Sequence, residues 1–377
     1  MQDRSRQAAV DQRPGVRGWC PTAWRPMMAG DGLLVRVRPP LGEMSRAQAL
    51  ALCDAALRLG NGHIDLTNRA ALQIRGVAQA DHRALVETLV ALRLTDADPL
   101  REARAAVILN PDWRTGDATE SIARALLARI GDLPDLPAKV GIAIDAGEAP
   151  ALSQVSADFR IERAADGGLM LRADGRAGGL PVQEDGAVDA LIALAHWFIA
   201  SGGAQAGRMA RHDAPLPEAP STLPAPARPR AATLAAAPGP FLGAPFGRIE
   251  ATTLRAALTE QVEAVRLTPW RGLILQGSAA PSDDPADPRF AVHACPGAPA
   301  CPQASVATRD LAARLAPHVA GLHVSGCAKG CAHPAQAAIV LTGRAGRFDL
   351  GRDARAGAPP LRAGLDPDQI LALFGAS

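Results

Sequence analysis

The 377-residue sequence predicts an α+β fold in two halves related by an internal pseudo-twofold, each half with its own helices and sheet. Three observations carry this expectation. A helical pattern followed by two short strand patterns opens each half. The stretch from Thr67 to Gly76 equals that from Thr268 to Gly277 in length, with an arginine soon after each threonine, Arg69 and Arg271. A Pro/Ala-rich stretch at 213–240 separates the halves.

In chain order, residues 1–16 are polar and unpatterned and are expected to form a disordered tail. Residues 45–60 read as a helix with Ser45 as N-cap and Gly60 as stop, and "HIDLT" and "LQIRG" follow as strands. "KVGIAIDAG" reads as a buried strand, and 158–174 as a hairpin turning at Asp166-Gly167. The apolar run at 187–201 is a helix. Stretch 213–240 has neither helical nor strand period and reads as a semi-rigid connector. Beyond it the pattern returns: a helix over 251–263, strands "AVRLT" and "LILQG", a hairpin over 337–353 and a closing helix in "DPDQILALFG".

Composition excludes several classes of function. The net charge of +2 provides no global field for nucleic acid or membrane. No apolar run reaches the roughly 20 residues of a membrane span, and the first residues lack a signal peptide's apolar core, so a cytoplasmic location is expected. There thiols stay reduced, and clustered cysteines point to metal or catalysis rather than disulfides. The forty basic residues are 38 arginines and two lysines, Lys139 and Lys329. A GC-rich coding bias accounts for this; arginine's planar fork would equally suit a ligand with many carboxylates. No G-x-G-x-x-G or P-loop pattern supports a bound nucleotide, so electrons must come from an external donor.

Four of the six cysteines lie within 37 positions, as C-x5-C (Cys295, Cys301) and C-x3-C (Cys327, Cys331). Thiolate quartets hold zinc or iron–sulfur clusters. Structural zinc takes C-x2-4-C pairs, and the five-residue gap is wide for that. A cubane's separated corners accept ligands from wider loops, and Pro and Gly in both loops let the backbone wrap it. Spacing alone favours a cluster and leaves zinc, or unrelated buried thiols, open.

With two preceding "LT-x-R"-type units, this motif resembles the sulfite and nitrite reductase superfamily, in which the four cysteines ligate a [4Fe-4S] cluster and the last also bridges to sirohaem iron. Within it, "RGWCPTAWRPMMAGDGLLVRVRP", "GNGHIDLTNRAALQIRG", "RLTPWRGLIL" and "HVSGCAKGCAHP" are similar to segments of the precorrin-3B synthases. The resemblance implies a nitrite/sulfite reductase-like fold: a ferredoxin-like half-domain at 17–95, an α+β domain at 96–212, the linker, a second half-domain at 241–285 and a cluster-binding α+β domain at 286–377. It implies the substrates precorrin-3A and O2, hydroxylation at C20, closure of the ring A acetate to a γ-lactone, a reductase- or ferredoxin-type donor, and a mononuclear non-haem iron whose ligands the sequence leaves unknown.

Departures from the reductases favour that branch and disfavour sirohaem. Of the reductases' Arg-Lys-x-Lys clamp only Lys139 is kept, with Ala138 and Gly141 in the flanking positions, and their Arg-Asn pair reads Ala105-Ala106 beside Arg104. A sirohaem sulfite or nitrite reductase is the alternative; a cysteine-ligated electron-transfer or binding protein is a third reading. Candidate catalytic residues are Arg69 and Gln73, in T-x-R-x3-Q, with Lys139 and Lys329; Arg69 and Arg271 are candidate substrate contacts. Cys20 is either functional or a small core residue, and Cys53 reads as core. His293, His323 and His333 are weak candidates for iron, His63 a weaker one, and His82, His196, His212 and His318 read as ordinary.

Overall fold

A computed structural model describes residues 19–376. The expected tail at 1–16 lies outside the described residues. The chain divides into two compact units, one of 19–27 with 33–285, the other of Met28–Gly32 with the chain from Ala286 onward. Among the described residues no helix is long and apolar enough to cross a membrane.

The larger unit begins with two small antiparallel sheets. In the first, Gly32–Val37, Leu72–Val77, His63–Leu66 and Arg248–Glu250 pair in that order; in the second, Phe241–Gly243, Gly272–Gln276, Ala264–Leu267 and Glu43–Ser45. Each half therefore lends one three-residue strand to the sheet of the other. Both lent strands follow the same Pro-x-Gly turn, with Leu41 and Phe246 each at φ 57°. Both lead into helices, Arg46–Leu59 and Ala251–Ala257, that pack together over one core in which Leu52, Ile64 and Ile74 meet Leu254, Val265 and Leu273.

Ion pairs lock the exchange. At matching register positions Arg248 opposes Asp65, and Glu43 opposes Arg266, so the two copies use the same contact with the charges reversed. Arg248 Nε meets Asp65 Oδ1 at 2.8 Å, and Arg266 Nε meets Glu43 Oε2 at 2.5 Å. Asp65 also receives Arg75 Nη1 at 3.3 Å.

A five-stranded sheet completes the larger unit. Ala106–Leu109, Gly141–Asp145 and Phe159–Arg163 run parallel, and Leu169–Ala173 and Leu180–Val182 follow antiparallel. The smaller unit repeats this order with His293–Ala294, Leu322–Ser325, Ala337–Arg344, Arg347–Ala354 and Arg362–Leu365. In each, a helix (Ala118–Ala128; Arg309–Leu315) links the first two strands and another (Ala187–Ala200; Pro367–Leu373) follows the last. The repeated α+β architecture read from the sequence is present.

The helix from Arg46 carries the capping box expected of Ser45, completed by Gln48. Its counterpart stops at Ala257, short of the expected 263, because Arg46 Nε takes the carbonyls of Leu258 and Thr259 at 3.1 and 2.7 Å. The arginines thought to mark equivalent positions are offset by one. Trp270 occupies the place of Arg69, and Arg271 that of Ala70, with φ 57° and 47°. The connector is held along its length: Ala225 N donates to Arg163 O at 2.9 Å and Arg228 N to Pro150 O at 2.7 Å, and Arg230–Ala235 forms a short helix. Backbone bonds, which leave no side-chain period, hold it.

Asp65 and Arg75 are buried, so removing the carboxylate strands two guanidiniums. Asp65→Ala is expected to cost about 3–5 kcal/mol in chemical denaturation, whereas exposed Asp368→Ala stays within about 0.5 kcal/mol.

Candidate functional site

In the smaller unit the four thiols stand at the carboxyl ends of adjacent parallel strands, the edge where open α/β sheets bind ligands. Cys295 leaves His293–Ala294, its N–H bonded to Val324 O at 3.3 Å, and Cys327 follows Leu322–Ser325 by two residues. Cys301 lies on a turn closed by its N–H to Gly297 O at 2.8 Å. Thr308 Oγ1 donates to Cys295 O at 2.5 Å, and Gly326 N–H donates to Cys295 Sγ at 3.2 Å, the bond expected of a ligating thiolate. The loops leave no slack: a Cβ on Gly326 would stand 2.5 Å from Ala304 Cβ.

The thiols sense one another. Burial, then the charges of Cys301 and Cys295, raise Cys327; burial, then Cys295 and Cys327, push Cys331 up to about 11 although the residue reaches the surface. Lys329 opposes both shifts, through a backbone hydrogen bond to Cys327 and through its charge. Four thiolates in one place repel unless a cationic centre joins them. Among the described residues no three His, Cys, Asp or Glu side chains gather as a single ion requires. The quartet is drawn from two loops, one after each of the two adjacent strands.

Three imidazoles lie within the same loops. His293 and His333 stack at 4.3 Å and 16°, and His323 meets His333 edge-on at 5.8 Å. His323 is fully buried with neither nitrogen partnered, and burial, then His333, push it down to about 4. They are stacked rather than convergent. Four of the remaining five histidines serve locally: His63 pairs with Glu250 at 2.8 Å, His82 reaches Ala23 O, His196 reaches Asp132 O, and His212 reaches Ser201 Oγ.

The larger unit holds a second constellation. Arg69 Nη2 donates to Lys139 O at 2.7 Å and to Ser156 Oγ at 3.3 Å, and Arg208 donates to the same hydroxyl at 2.9 Å and to Asp158 at 2.8 Å. Gln73, its amide oxygen turned to Arg36, accepts from Arg36 Nη2 at 2.9 Å and Nε at 3.3 Å. Burial, then repulsion by Arg38, lowers Arg36 to about 10, with Cys20 hydrogen-bonded to it; burial, then Arg208, lowers Arg69. Arg36 and Arg69, both desolvated, thus stand with Arg38 and the Asp158-paired Arg208 as an arginine cluster beside Cys20.

Beside it opens a recess of about 280 Å³ lined by Cys20, Arg38, Arg104, Ala105, Ala106 and Ala138. Three of these are the alanines at the positions where the reductases carry their clamp. The structure brings Arg69, Gln73 and the carbonyl of Lys139 together, while the Lys139 side chain is exposed. Arg271, away from this group, is lowered by burial and then by repulsion from Arg230. Arg36, Arg38 and Arg208 were missed. Alternation in "LLVRVRP" already set the first two on one face of a strand.

Comparison with known proteins follows these features. Residues 25–92 match the nitrite/sulfite reductase ferredoxin-like half domain. A precorrin-3B synthase from Sinorhizobium sp. is 31% identical over 89% of this chain and 82% of its own. A ferredoxin–nitrite reductase from Synechococcus elongatus is 31% identical over 34% of this chain and 27% of its own. The structure of the Mycobacterium tuberculosis NirA protein superposes with a TM-score of 0.59 at 17% identity, covering 90% of this chain and 78% of that one, which speaks to the fold.

Cys295→Ser, Cys301→Ser, Cys327→Ser and Cys331→Ser are each expected to lower bound iron and acid-labile sulfide together, whereas core Cys53→Ser retains both. Metal and sulfide counting on anaerobically prepared protein checks this. With its doubled α+β fold, its thiol quartet and its match across most of a precorrin-3B synthase, the chain belongs to the precorrin-3B synthase family, within the nitrite/sulfite reductase-like proteins.

Proposed function

We propose that the chain acts as a precorrin-3B synthase, an oxygen-dependent monooxygenase of cobalamin biosynthesis. Precorrin-3A, O2, two electrons and two protons give the macrocycle hydroxylated at C20 and water, and the ring A acetate closes to a γ-lactone. The observation that carries the reading is the arginine cluster of Arg36, Arg38, Arg69 and Arg208, with Arg36 and Arg69 desolvated, beside a recess lined by Ala105, Ala106 and Ala138. Precorrin-3A bears acetate and propionate arms around an apolar ring.

Guanidiniums stripped of water and repelling one another are stabilised by an incoming carboxylate, and each charge-assisted hydrogen bond is worth about 1.5–3 kcal/mol. Asp158, fully buried, already holds Arg208 and fixes the direction of the group. Gln73 orients Arg36, and Ser156 holds Arg69 beside Arg208. The recess is too small for a whole macrocycle and suits one edge with its arms. Ala105, Ala106 and Ala138 leave room there that longer clamp side chains would fill.

Cys295, Cys301, Cys327 and Cys331 suit a [4Fe-4S] cluster, which when bound supplies one-electron storage and transfer. Gly326 N–H stabilises the Cys295 thiolate, and Lys329 sits between the last two ligands. The mononuclear iron that the resemblance implies finds no three convergent ligands among the described residues, and no step is derived through it. The donor is an external protein of reductase or ferredoxin type; the name of the Synechococcus relative gives ferredoxin as the partner of that protein.

Anaerobically purified protein, incubated with precorrin-3A and a reductant and then exposed to O2, is expected to yield a product heavier by one oxygen atom. Arg36→Ala and Arg69→Ala should each weaken binding of precorrin-3A about tenfold to a hundredfold, while exposed Lys139→Ala changes it by about twofold at most. Purified protein carrying sirohaem and reducing sulfite would sink the reading in favour of the reductase.

A further inference from the structure

Residues 344–362 of the smaller unit carry five arginines, Arg344, Arg347, Arg352, Arg355 and Arg362, against two aspartates, Asp349 and Asp353. That is an excess of three positive charges on one short segment of a chain whose total is +2. Two of the five are engaged internally: Arg344 Nε meets Asp349 Oδ2 at 2.8 Å, and Arg347 Nη1 meets Asp366 Oδ2 at 3.5 Å. Arg352, Arg355 and Arg362 are exposed and have no side-chain partner among the described residues. Leu361, between them, is 65% exposed.

The bland account is that charges on Arg362–Leu365, the outermost strand of the sheet, guard an edge against mispairing. Arg355 does not fit that account, because it lies on the loop after Arg347–Ala354. This loop packs onto the thiol loop. A Cβ on Gly357 would stand 2.7 Å from Ala328 Cβ, and one on Gly330 would stand 3.0 Å from Ala356 Cβ. Gly357 N–H also donates to Thr342 Oγ1 at 3.2 Å. The unpaired arginines therefore flank the stretch of backbone that covers Cys327–Cys331.

We propose that Arg352, Arg355 and Arg362, with Leu361 as apolar contact, form the docking surface for a small acidic one-electron carrier protein that reduces the cluster. The inference rests on the cluster reading above and adds to it the place where electrons enter. Unpaired surface cations attract an acidic partner over a Debye length and speed its encounter, and that gain falls as salt rises. An arginine-flanked leucine adds desolvated contact at the centre of the patch.

The test uses the full chain with its cluster in place, an acidic [2Fe-2S] ferredoxin, reduced, as probe, and stopped-flow detection of cluster reduction. The wild-type rate should fall steeply with ionic strength. The triple variant Arg352→Glu/Arg355→Glu/Arg362→Glu should lose more than about tenfold at low salt and most of its salt dependence, with the corresponding Gln triple variant between the two. Photoreduced deazaflavin, which needs no docking, should reduce all three proteins equally, and their iron content should match. Unchanged ferredoxin kinetics in the Glu variant would overturn the proposal while leaving the cluster reading intact. A cluster that no reductant reduces would overturn both. Tighter binding of a short DNA duplex than of ferredoxin, lost in the same variant, would assign the patch to nucleic acid and overturn it too.

Discussion

The larger unit depends on a reciprocal exchange of short strands. Three backbone pairs at each junction are too few to hold a lent strand by themselves, and the ion pairs Asp65–Arg248 and Glu43–Arg266 supply direction at the same register position. Their reversed polarity also discourages pairing each lent strand with its own half, since like charges would then face each other. Because both helices that follow share one core, neither half-domain can shift without disturbing the other. The strand that carries Arg36 and Arg38, and the turn that carries Arg69, belong to this locked body. The arginines are therefore held on rigid elements rather than on free loops.

The two five-stranded sheets show how duplication became specialisation. Asn110 N–H bonds to Ile144 O at 3.0 Å, as Cys295 N–H bonds to Val324 O, so Asn110 and Cys295 occupy the same position in the two copies, and Asp145 the position of Ser325. In the smaller unit this sheet end opens into thiol-bearing loops. In the larger unit it is closed: Asn110 and Asp145 are almost fully buried, and Asp145 accepts from Ala151 and Leu152 N–H at 2.8 and 2.7 Å. Burial raises the Asp145 carboxyl to about 7. The stability it contributes is thus complete at acid pH and lost as pH rises through that value. One copy of the strand order carries cysteine-bearing loops at this end, the other a sealed turn.

Much of this was legible in sequence, and the failures have physical causes. The helix between Ser45 and Gly60, the hairpin at Asp166-Gly167 and the doubled pattern are local, and capping, turn chemistry and periodicity report them. The strand exchange is not local: Glu43–Ser45 pairs with residues more than two hundred positions away, and three residues are too few to show a period. Arg271 was matched to Arg69 because both turns contain an arginine; the φ 57° position that fixes the register is a backbone property no side chain announces. The cysteine pairs are visible as a motif in the chain, whereas the arginine cluster is assembled from three distant segments around Arg36, Arg69 and Arg208. Only the alternation of Arg36 and Arg38 in "LLVRVRP" carries a signal.

The near-absence of lysine acquires a physical meaning at this group, whatever coding bias contributed. Desolvation lowers the pKa of any buried cation, and a buried lysine can fall to about 5–6 and become neutral. Burial, then repulsion by Arg38, lowers Arg36 to about 10, so it stays charged near neutrality. A dry site that keeps its positive charge is built more readily from guanidiniums than from amines. Both lysines of the chain, Lys139 and Lys329, are exposed. Where the cation is dry, as at Arg36, the chain uses arginine.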